Sequence, residues 1–231
     1  MNTKRTNKLY AELQAKYGKS SPLVNGYRSQ KYFEKEQSML MNLIDPNSEA
    51  ILDVACGSGL MTLPLFKQGK KVIGLDFNAY SCQLAQQNMT ECIEGNAFDM
   101  PFEDECFDTV INCQFLNQQQ PEDANLFLQE SYRILKFDGQ LILVWRNGDA
   151  LIHRVAHTLF SIVDYLTNNP NFPMVNHNLM TICEDANQLG FKEVKKFLVL
   201  PFFNWRIKKL DSLAAKVIGA SAVLVAQKSN T

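Results

Sequence analysis

The chain has 231 residues with 23 basic and 24 acidic side chains, a formal net charge of -1, so overall charge draws it neither to nucleic acid nor to an anionic membrane. Its hydrophobic fraction of 46% excludes extended disorder. That length suits one α/β domain of roughly 200 residues with a short extension.

Leu9 to Ile44 is expected to be helical. It carries Tyr10, Tyr17, Tyr27 and Tyr32 and reads as a cap, not a separate domain. From Ala50 onward, short apolar runs alternate with helix-period segments, the pattern of a parallel sheet flanked by helices. The first strand is Ala50 to Ala55. A glycine turn, Gly57-Ser58-Gly59, leads into a helix bearing Leu60, Leu63 and Phe66, which Gly69 closes. The second strand is Lys71 to Asp76, and Asn78 is placed to cap the next helix. A third strand lies near Glu91 to Gly95 and a fourth at Phe107 to Cys113. Pro121, Glu122 and Asp123 open a helix that buries Phe127, Leu128, Ile134 and Leu135. Asp138-Gly139 turns into a fifth strand, Gln140 to Trp145.

After Arg146 the rhythm breaks. Asp149 to Leu166 looks like an added helix, and Asn168 to Pro173 like a loop. A helix then ends at Leu189-Gly190, a sixth strand runs from Phe191 to about Leu200, and Gly219 to Gln227 reads as the last strand. A short helix is expected between those two strands.

The cysteines, Cys56, Cys82, Cys92, Cys106, Cys113 and Cys183, form no C-x-x-C pair, so neither a zinc site nor a redox motif has support and no metal is expected. They sit as reduced core cysteines do. Met1 to Lys8 is polar and basic without an apolar run behind it. Neither a signal peptide nor a membrane span is expected, and the setting reads as cytoplasmic. Basic clusters at Lys67 to Lys71, Lys192 to Lys196 and Arg206 to Lys209 read as solvated helix ends and turns.

A glycine turn between strand and helix is where anionic or nucleotide ligands bind, because the backbone comes close and the helix N-terminus offers free N–H groups. Three features sharpen that weak signal. Asp53 lies inside the first strand, and a carboxylate there opposes a pyrophosphate and favours a ligand with a positive group. The dinucleotide spacing G-x-G-x-x-G fails, since Thr62 replaces the third glycine. Asp76 ends the second strand about twenty residues on, placed to accept from ribose hydroxyls. Adenosylmethionine has a ribose, a cationic amine and a sulfonium, and no phosphate. It fits these residues better than NAD does.

Leu52-Asp53-Val54-Ala55-Cys56-Gly57-Ser58-Gly59 resembles the glycine motif of class I S-adenosylmethionine-dependent methyltransferases. Ile73-Gly74-Leu75-Asp76-Phe77-Asn78 resembles their acidic ribose motif. Gly95 to Phe102 is similar to the segment that packs on adenine, Phe107 to Val110 to the start of the fourth strand, and Glu130 to Val144 to the helix, turn and fifth strand. The match covers about 36–147 well; the tail from 177 to 228 is similar in strand order only. The nearest likeness in motif texture is to quinone-biosynthesis methyltransferases.

The resemblance implies a Rossmann-like three-layer α/β sandwich with a mostly parallel sheet of seven strands, the last antiparallel and inserted between the fifth and sixth. The pattern along the chain divides it into a helical cap at 1–45 and a methyltransferase domain at 46–231, with a helical insertion at about 149–175. For the cofactor, S-adenosyl-L-methionine, the glycine turn with Asp53, Ala55, Cys56, Gly57 and Gly59 would bind, the backbone around Ala55 and Gly57 touching the methionine part. Asp76 would bind the ribose and Phe77 would lie against the adenine. Asn96 would accept from the adenine amino group while the Ala97 N–H donates to a ring nitrogen. Many relatives carry Asp where Asn96 stands, and the amide oxygen is an equivalent acceptor. Cys113 and Gln114 would border the sulfonium.

The chain departs from this pattern in places. Close relatives often carry His-His after the fourth strand, where Asn117-Gln118 stands here, so no imidazole base is inherited. Asn112-Cys113-Gln114-Phe115 resembles the Asn-Pro-Pro-aromatic motif of nucleic-acid methyltransferases, but both prolines are missing. Candidates for catalysis are His153 and His157, one helical turn apart, with Tyr27 and Arg146. Surface or cap histidines are the plainer reading, and His-Arg-Val-Ala-His lacks the glutamate of a metalloprotease motif. Trp145 and Arg146 recognise an acceptor or simply pack and pair. Phe202, Phe203 and Trp205 read as core or lid.

The leading reading is an enzyme that moves a methyl group to a small-molecule acceptor by in-line displacement, without nucleic acid as partner, as a monomer or homodimer. The alternative is a non-catalytic adenosylmethionine-binding regulatory protein. A third, NAD-dependent reading is disfavoured by Asp53 and Thr62.

Overall fold

The computed structural model describes residues 15, 16, 18, 21, 22, 27, 29–147, 151, 155, 175, 177–199, 206–207 and 221–229, with backbone alone at 193, 194, 206 and 207. Two compact units result: Met1–Asn112 with Arg133–Gln140, and Cys113–Tyr132 with Leu141–Thr231.

In the first unit, helix α1 (Gln30–Met41) starts at Ser29, whose hydroxyl accepts from the Tyr32 N–H, and it buries Phe33, Glu36 and Leu40. Strand β1 (Ala50–Val54) is buried beyond its first residue, as a central parallel strand must be. It pairs in parallel with β2 (Lys71–Asp76) on one side and with β4 (Phe107–Cys113) on the other. Strand β3 (Glu91–Glu94) pairs in parallel with β2, aligning Gly74 with Cys92. Helix α2 (Leu63–Lys67) has a proline in its first turn, and α3 (Ala79–Ala85) is capped by the Asn78 side chain, which accepts from the Tyr80 and Ser81 N–H groups. The register brings Asp53 opposite Gly74 and Ile111, and leaves both Asp53 and Asp76 near the carboxyl ends of their strands.

In the second unit, helix α4 (Pro121–Ile134) begins with Pro121, Glu122 and Asp123, acids at the positive end of the dipole. Helix α5 (Leu179–Gln188) is capped by Asn178 and buries Leu179, Ile182, Cys183 and Ala186. Strand β6 (Phe191–Val199) runs antiparallel to both β7 (Arg206–Ile207) and β8 (Ser221–Lys228). With β5 (Leu135–Arg146), the sheet order is β3-β2-β1-β4-β5-β8-β6-β7.

The expected architecture holds: a mostly parallel Rossmann-like sheet flanked by helices, with the last long strand antiparallel and lying between the fifth and sixth. Two details differ. The two-residue strand β7 is an eighth member of the sheet. Strand β5 starts at Leu135, not Gln140: the expected turn is present only as a left-handed residue, Asp138 (φ 61), inside the strand. The added helix expected at Asp149 to Leu166 (save Leu151 and Val155, both helical), the loop at 168–173 and the short helix before the last strand lie outside the described residues.

Candidate functional site

The turn after β1 is built from left-handed backbone. Ala55 (φ 56), Gly57 (φ 57) and Gly59 (φ 72) all have positive φ, a region open to glycine and costly for alanine. The Ala55 and Cys56 N–H groups both donate to the Leu75 carbonyl, at 2.7 and 3.3 Å, fastening the turn to β2. Gly59 answers to packing as well as to φ: a Cβ there would lie 2.8 Å from Met89 Cε.

Asp76 organises this turn through both of its oxygens. Oδ2 accepts from the Gly57 N–H at 2.9 Å and Oδ1 from the Asn78 N–H at 3.0 Å. Its pKa is nevertheless raised, because burial outweighs those two hydrogen bonds. Asp53 is 2% exposed and accepts from the Thr62 hydroxyl at 2.7 Å. Burial drives its pKa up to about 7; the Thr62 bond opposes the rise and the nearby Asp76 charge adds to it. Among the described residues neither carboxylate forms a salt bridge. Two desolvated acids beside a positive-φ glycine turn make a site that repels phosphate and gains by receiving a cation. That donor set fits a ligand bearing amine and sulfonium charge with ribose hydroxyls, since each carboxylate oxygen has a further lone pair.

The other residues expected to meet the cofactor have the following surroundings. Phe77 follows Asp76 and is 37% exposed, an aromatic side chain left open to solvent. The Gly95 N–H donates to the Asp76 carbonyl at 3.0 Å, which brings Asn96 and Ala97 beside the end of β2. The Asn96 Oδ1 accepts from the Phe98 N–H at 3.0 Å, so one of its lone pairs is already engaged. Cys113 and Gln114 belong to the second unit, where Gln114 has φ 67 and its N–H donates to the Val144 carbonyl at 2.7 Å.

Of the catalytic candidates, His153 and His157 lie outside the described residues. The Tyr27 hydroxyl donates to Glu36 Oε2 at 2.7 Å, and its ring meets Phe33 edge-on at 5.0 Å. Arg146 is half-buried, and its backbone is clamped by Asn117: the Asn117 amide donates to the Arg146 carbonyl and accepts from the Arg146 N–H, at 3.2 and 2.9 Å. Trp145 is fully buried, and its indole N–H donates to the His177 carbonyl at 3.2 Å, so of its two readings packing holds.

Several residues escape a reading of the sequence. Thr62 signals only a failed dinucleotide motif until its hydroxyl is seen on Asp53. Gln37 donates to the Leu60 and Met61 carbonyls at 2.6 and 3.3 Å, tying α1 to the glycine turn, and Asn88 donates to the Ser58 carbonyl at 2.8 Å. These are long-range contacts of ordinary polar residues. Only Glu36, charged within an apolar helix face, carries a visible signal.

The model of the methyltransferase domain family matches residues 52–143. Relatives include the demethylmenaquinone methyltransferase of Oceanobacillus iheyensis, 29% identical over 167 residues and 68% of each chain. That of Lactobacillus johnsonii is 36% identical over 128 residues, 51% of this chain and 48% of its own. The fold is shared with the magnesium protoporphyrin IX methyltransferase of Synechocystis with bound SAH, at a TM-score of 0.63 and 19% identity over 87% of this chain and 83% of that one. The chain is a class I S-adenosylmethionine-dependent methyltransferase. Its cofactor is S-adenosylmethionine, and the catalytic reading is favoured over a regulatory binder, since these relatives are named as enzymes. Among the described residues of the methyltransferase, no helix is long and apolar enough to cross a membrane.

Proposed function

We propose that the methyltransferase acts on a small-molecule acceptor in the cytoplasm, with a quinone-type ring as the first class to test. The likeness over 68% of each chain to a demethylmenaquinone methyltransferase carries this reading. The net charge of -1 supports an acceptor other than nucleic acid. When bound, the cofactor supplies an electrophilic methyl group on sulfur.

The chain's own residues have the following proposed roles. Asp53, with Thr62 fixing its orientation, provides negative potential beneath the turn of Ala55, Cys56, Gly57 and Gly59 for the charged methionine end. Asp76 uses its remaining lone pairs on the ribose hydroxyls while holding the Gly57 N–H. Phe77 covers the adenine face, and Asn96 and Ala97 meet its polar edge. Cys113 and Gln114 border the reacting end. Residues 1–45 form a cap over a core domain at 46–231, with an insertion at about 149–175; Tyr27, Arg146, His153 and His157 are its acceptor-facing candidates. Holding an acceptor in line and excluding water supplies much of the rate, and a base is needed only for an acceptor that arrives protonated.

The test is transfer of labelled methyl from S-adenosylmethionine to a panel of reduced quinone-ring compounds, phenols and amines. Methylation of a quinone-type ring is the expected result. Transfer confined to another class overturns the acceptor, and transfer to RNA or DNA overturns the small-molecule reading. Deleting Met1 to Ser29 is expected to abolish transfer and leave cofactor affinity within about tenfold.

A further inference from the structure

Three thiols converge under the cofactor turn. Cys56 lies in the turn, Cys92 on β3 and Cys82 on α3. The Cys56 and Cys92 sulfurs are 3.5 Å apart, and Cys82 Sγ approaches the Asp76 carbonyl at 3.6 Å while also touching the Cys92 thiol. Strand β2 separates β1 from β3, so two side chains from its opposite flanks would ordinarily be held apart. Gly74 removes that obstacle. A Cβ there would lie 2.7 Å from Cys56 Sγ and 3.1 Å from Cys92 Sγ, so the sulfurs meet over the bare glycine. Among the described residues no group of three or more His, Cys, Asp or Glu is arranged to hold a metal ion. The contact is a matter of thiol chemistry.

Burial differs across the pair. Cys56 is 5% exposed, whereas Cys92 is half-buried and is the sulfur an oxidant meets first. The Cys56 backbone sits between Ala55 and Gly57, both left-handed, and the turn's place is set by the bonds to the Leu75 carbonyl and to Asp76. An S–S bond is shorter than the present contact, so closing it requires a shift at the Cys56 turn, at Cys92 or at both, and the Gly57 N–H that Asp76 holds is next to Cys56.

We propose that Cys56 and Cys92 form a reversible oxidation site, closed to a disulfide by a hydroperoxide, and that closure takes the glycine turn out of its cofactor-binding form. The second half rests on the proposed cofactor turn. The step balances in two stages. The Cys92 sulfur attacks the O–O bond of the hydroperoxide, an S–O bond forms, and the alcohol (water, for hydrogen peroxide) leaves with the thiol proton. The Cys56 sulfur then displaces the hydroxyl from Cys92, and its own proton leaves with that hydroxyl as water. Two thiols lose two electrons and the peroxide gains them. Dithiol reductants reverse the bond by exchange.

The environment makes this a slow site. Contact with the Cys92 thiol lowers the Cys56 pKa, but burial and the Asp53 and Asp76 charges outweigh it and push the thiol up to about 11. The contact with Cys56 and burial likewise raise Cys92. Few thiolates exist at neutral pH, so oxidation accelerates as pH rises.

The experiment treats the full chain with hydrogen peroxide at pH 7 and pH 9, then measures intact mass, mapped peptides and S-adenosylhomocysteine affinity by calorimetry. The expected product has lost two hydrogen masses, links the Cys56 and Cys92 peptides, forms faster at pH 9 and binds at least about tenfold more weakly. Dithiothreitol restores its affinity. Cys92→Ser binds as the untreated protein does and keeps its affinity after peroxide, while Cys82→Ser still forms the link. Oxygen addition without a link, or a link through Cys82, overturns the pair. A linked protein with unchanged affinity overturns the effect on the turn. If the reduced protein binds no S-adenosylhomocysteine, the cofactor reading and the effect on binding both fall, and the mapped peptides still decide the disulfide.

Discussion

Replacing Asp53 by Asn tests whether that buried carboxylate is held for a positive ligand. Its ordinary pKa of 3.8 rises to about 7 in the fold. Between those values the folded chain binds more protons than the unfolded chain, so stability falls as pH rises through that window and levels off above it. Three units correspond to about 4 kcal/mol of folding free energy forgone at pH 8. Asp53→Asn keeps an acceptor for the Thr62 hydroxyl and carries no charge, so it is expected to be the more stable protein at pH 8, with the difference vanishing near pH 4. Urea unfolding at both values measures this. Binding shows the opposite preference. A cation favours ionised Asp53, and at pH 6, below its raised pKa, the carboxyl is mostly protonated, so S-adenosylmethionine binding there expels protons. Calorimetry in buffers of different ionisation enthalpy reads the number, with Asp53→Asn reporting what Asp76 contributes alone. Equal binding enthalpies in all buffers, or a variant that releases as many protons as the wild type, would refute the reasoning.

Gly57→Val is expected to abolish cofactor binding in a folded protein, because the residue has φ 57 and its N–H is held by Asp76; wild-type affinity by calorimetry, with an unchanged far-ultraviolet spectrum, would exclude this turn as the binding loop. Asp76→Ala is expected to weaken S-adenosylhomocysteine binding by about 1.5 to 3 kcal/mol or more, since the Gly57 and Asn78 N–H groups lose their acceptor along with the ribose. An unchanged dissociation constant would remove Asp76 from the site.

Much of the fold is local and therefore legible. Strands β2 and β4 fall on the expected residues because each is an apolar run closed by a turn, and Asn78 announces the start of α3. The turn and the acid of β2 are legible for the same reason: each rests on a few consecutive residues. What stays hidden depends on register. The meeting of Cys56 with Cys92 needs three strands aligned and a glycine in the middle one. Asn117 reads as a missing imidazole, while in the fold it is buried and clamps the end of β5. Trp145 sits at a strand end where ligands bind, yet its indole is spent on the core. Strand β5 begins early because a single left-handed aspartate, Asp138, is absorbed within a strand that the pattern would have ended.

The costliest feature of the site is also its most informative. An asparagine in place of Asp53 would accept the same hydroxyl without a charge to desolvate, so the fold itself has no use for the carboxylate. Asp76 is different: with two backbone N–H groups to receive, its charge has a structural task and its burial is partly offset. Setting the two side by side separates the roles. Asp76 shapes the turn whether or not a ligand is present, whereas Asp53 is destabilising until something positive arrives. A site organised this way gives back on binding what it forgoes in folding, and the gain goes to cations alone. The same balance explains why NAD, with two phosphates to place against the same turn, is the poorer match although the strand order would hold it.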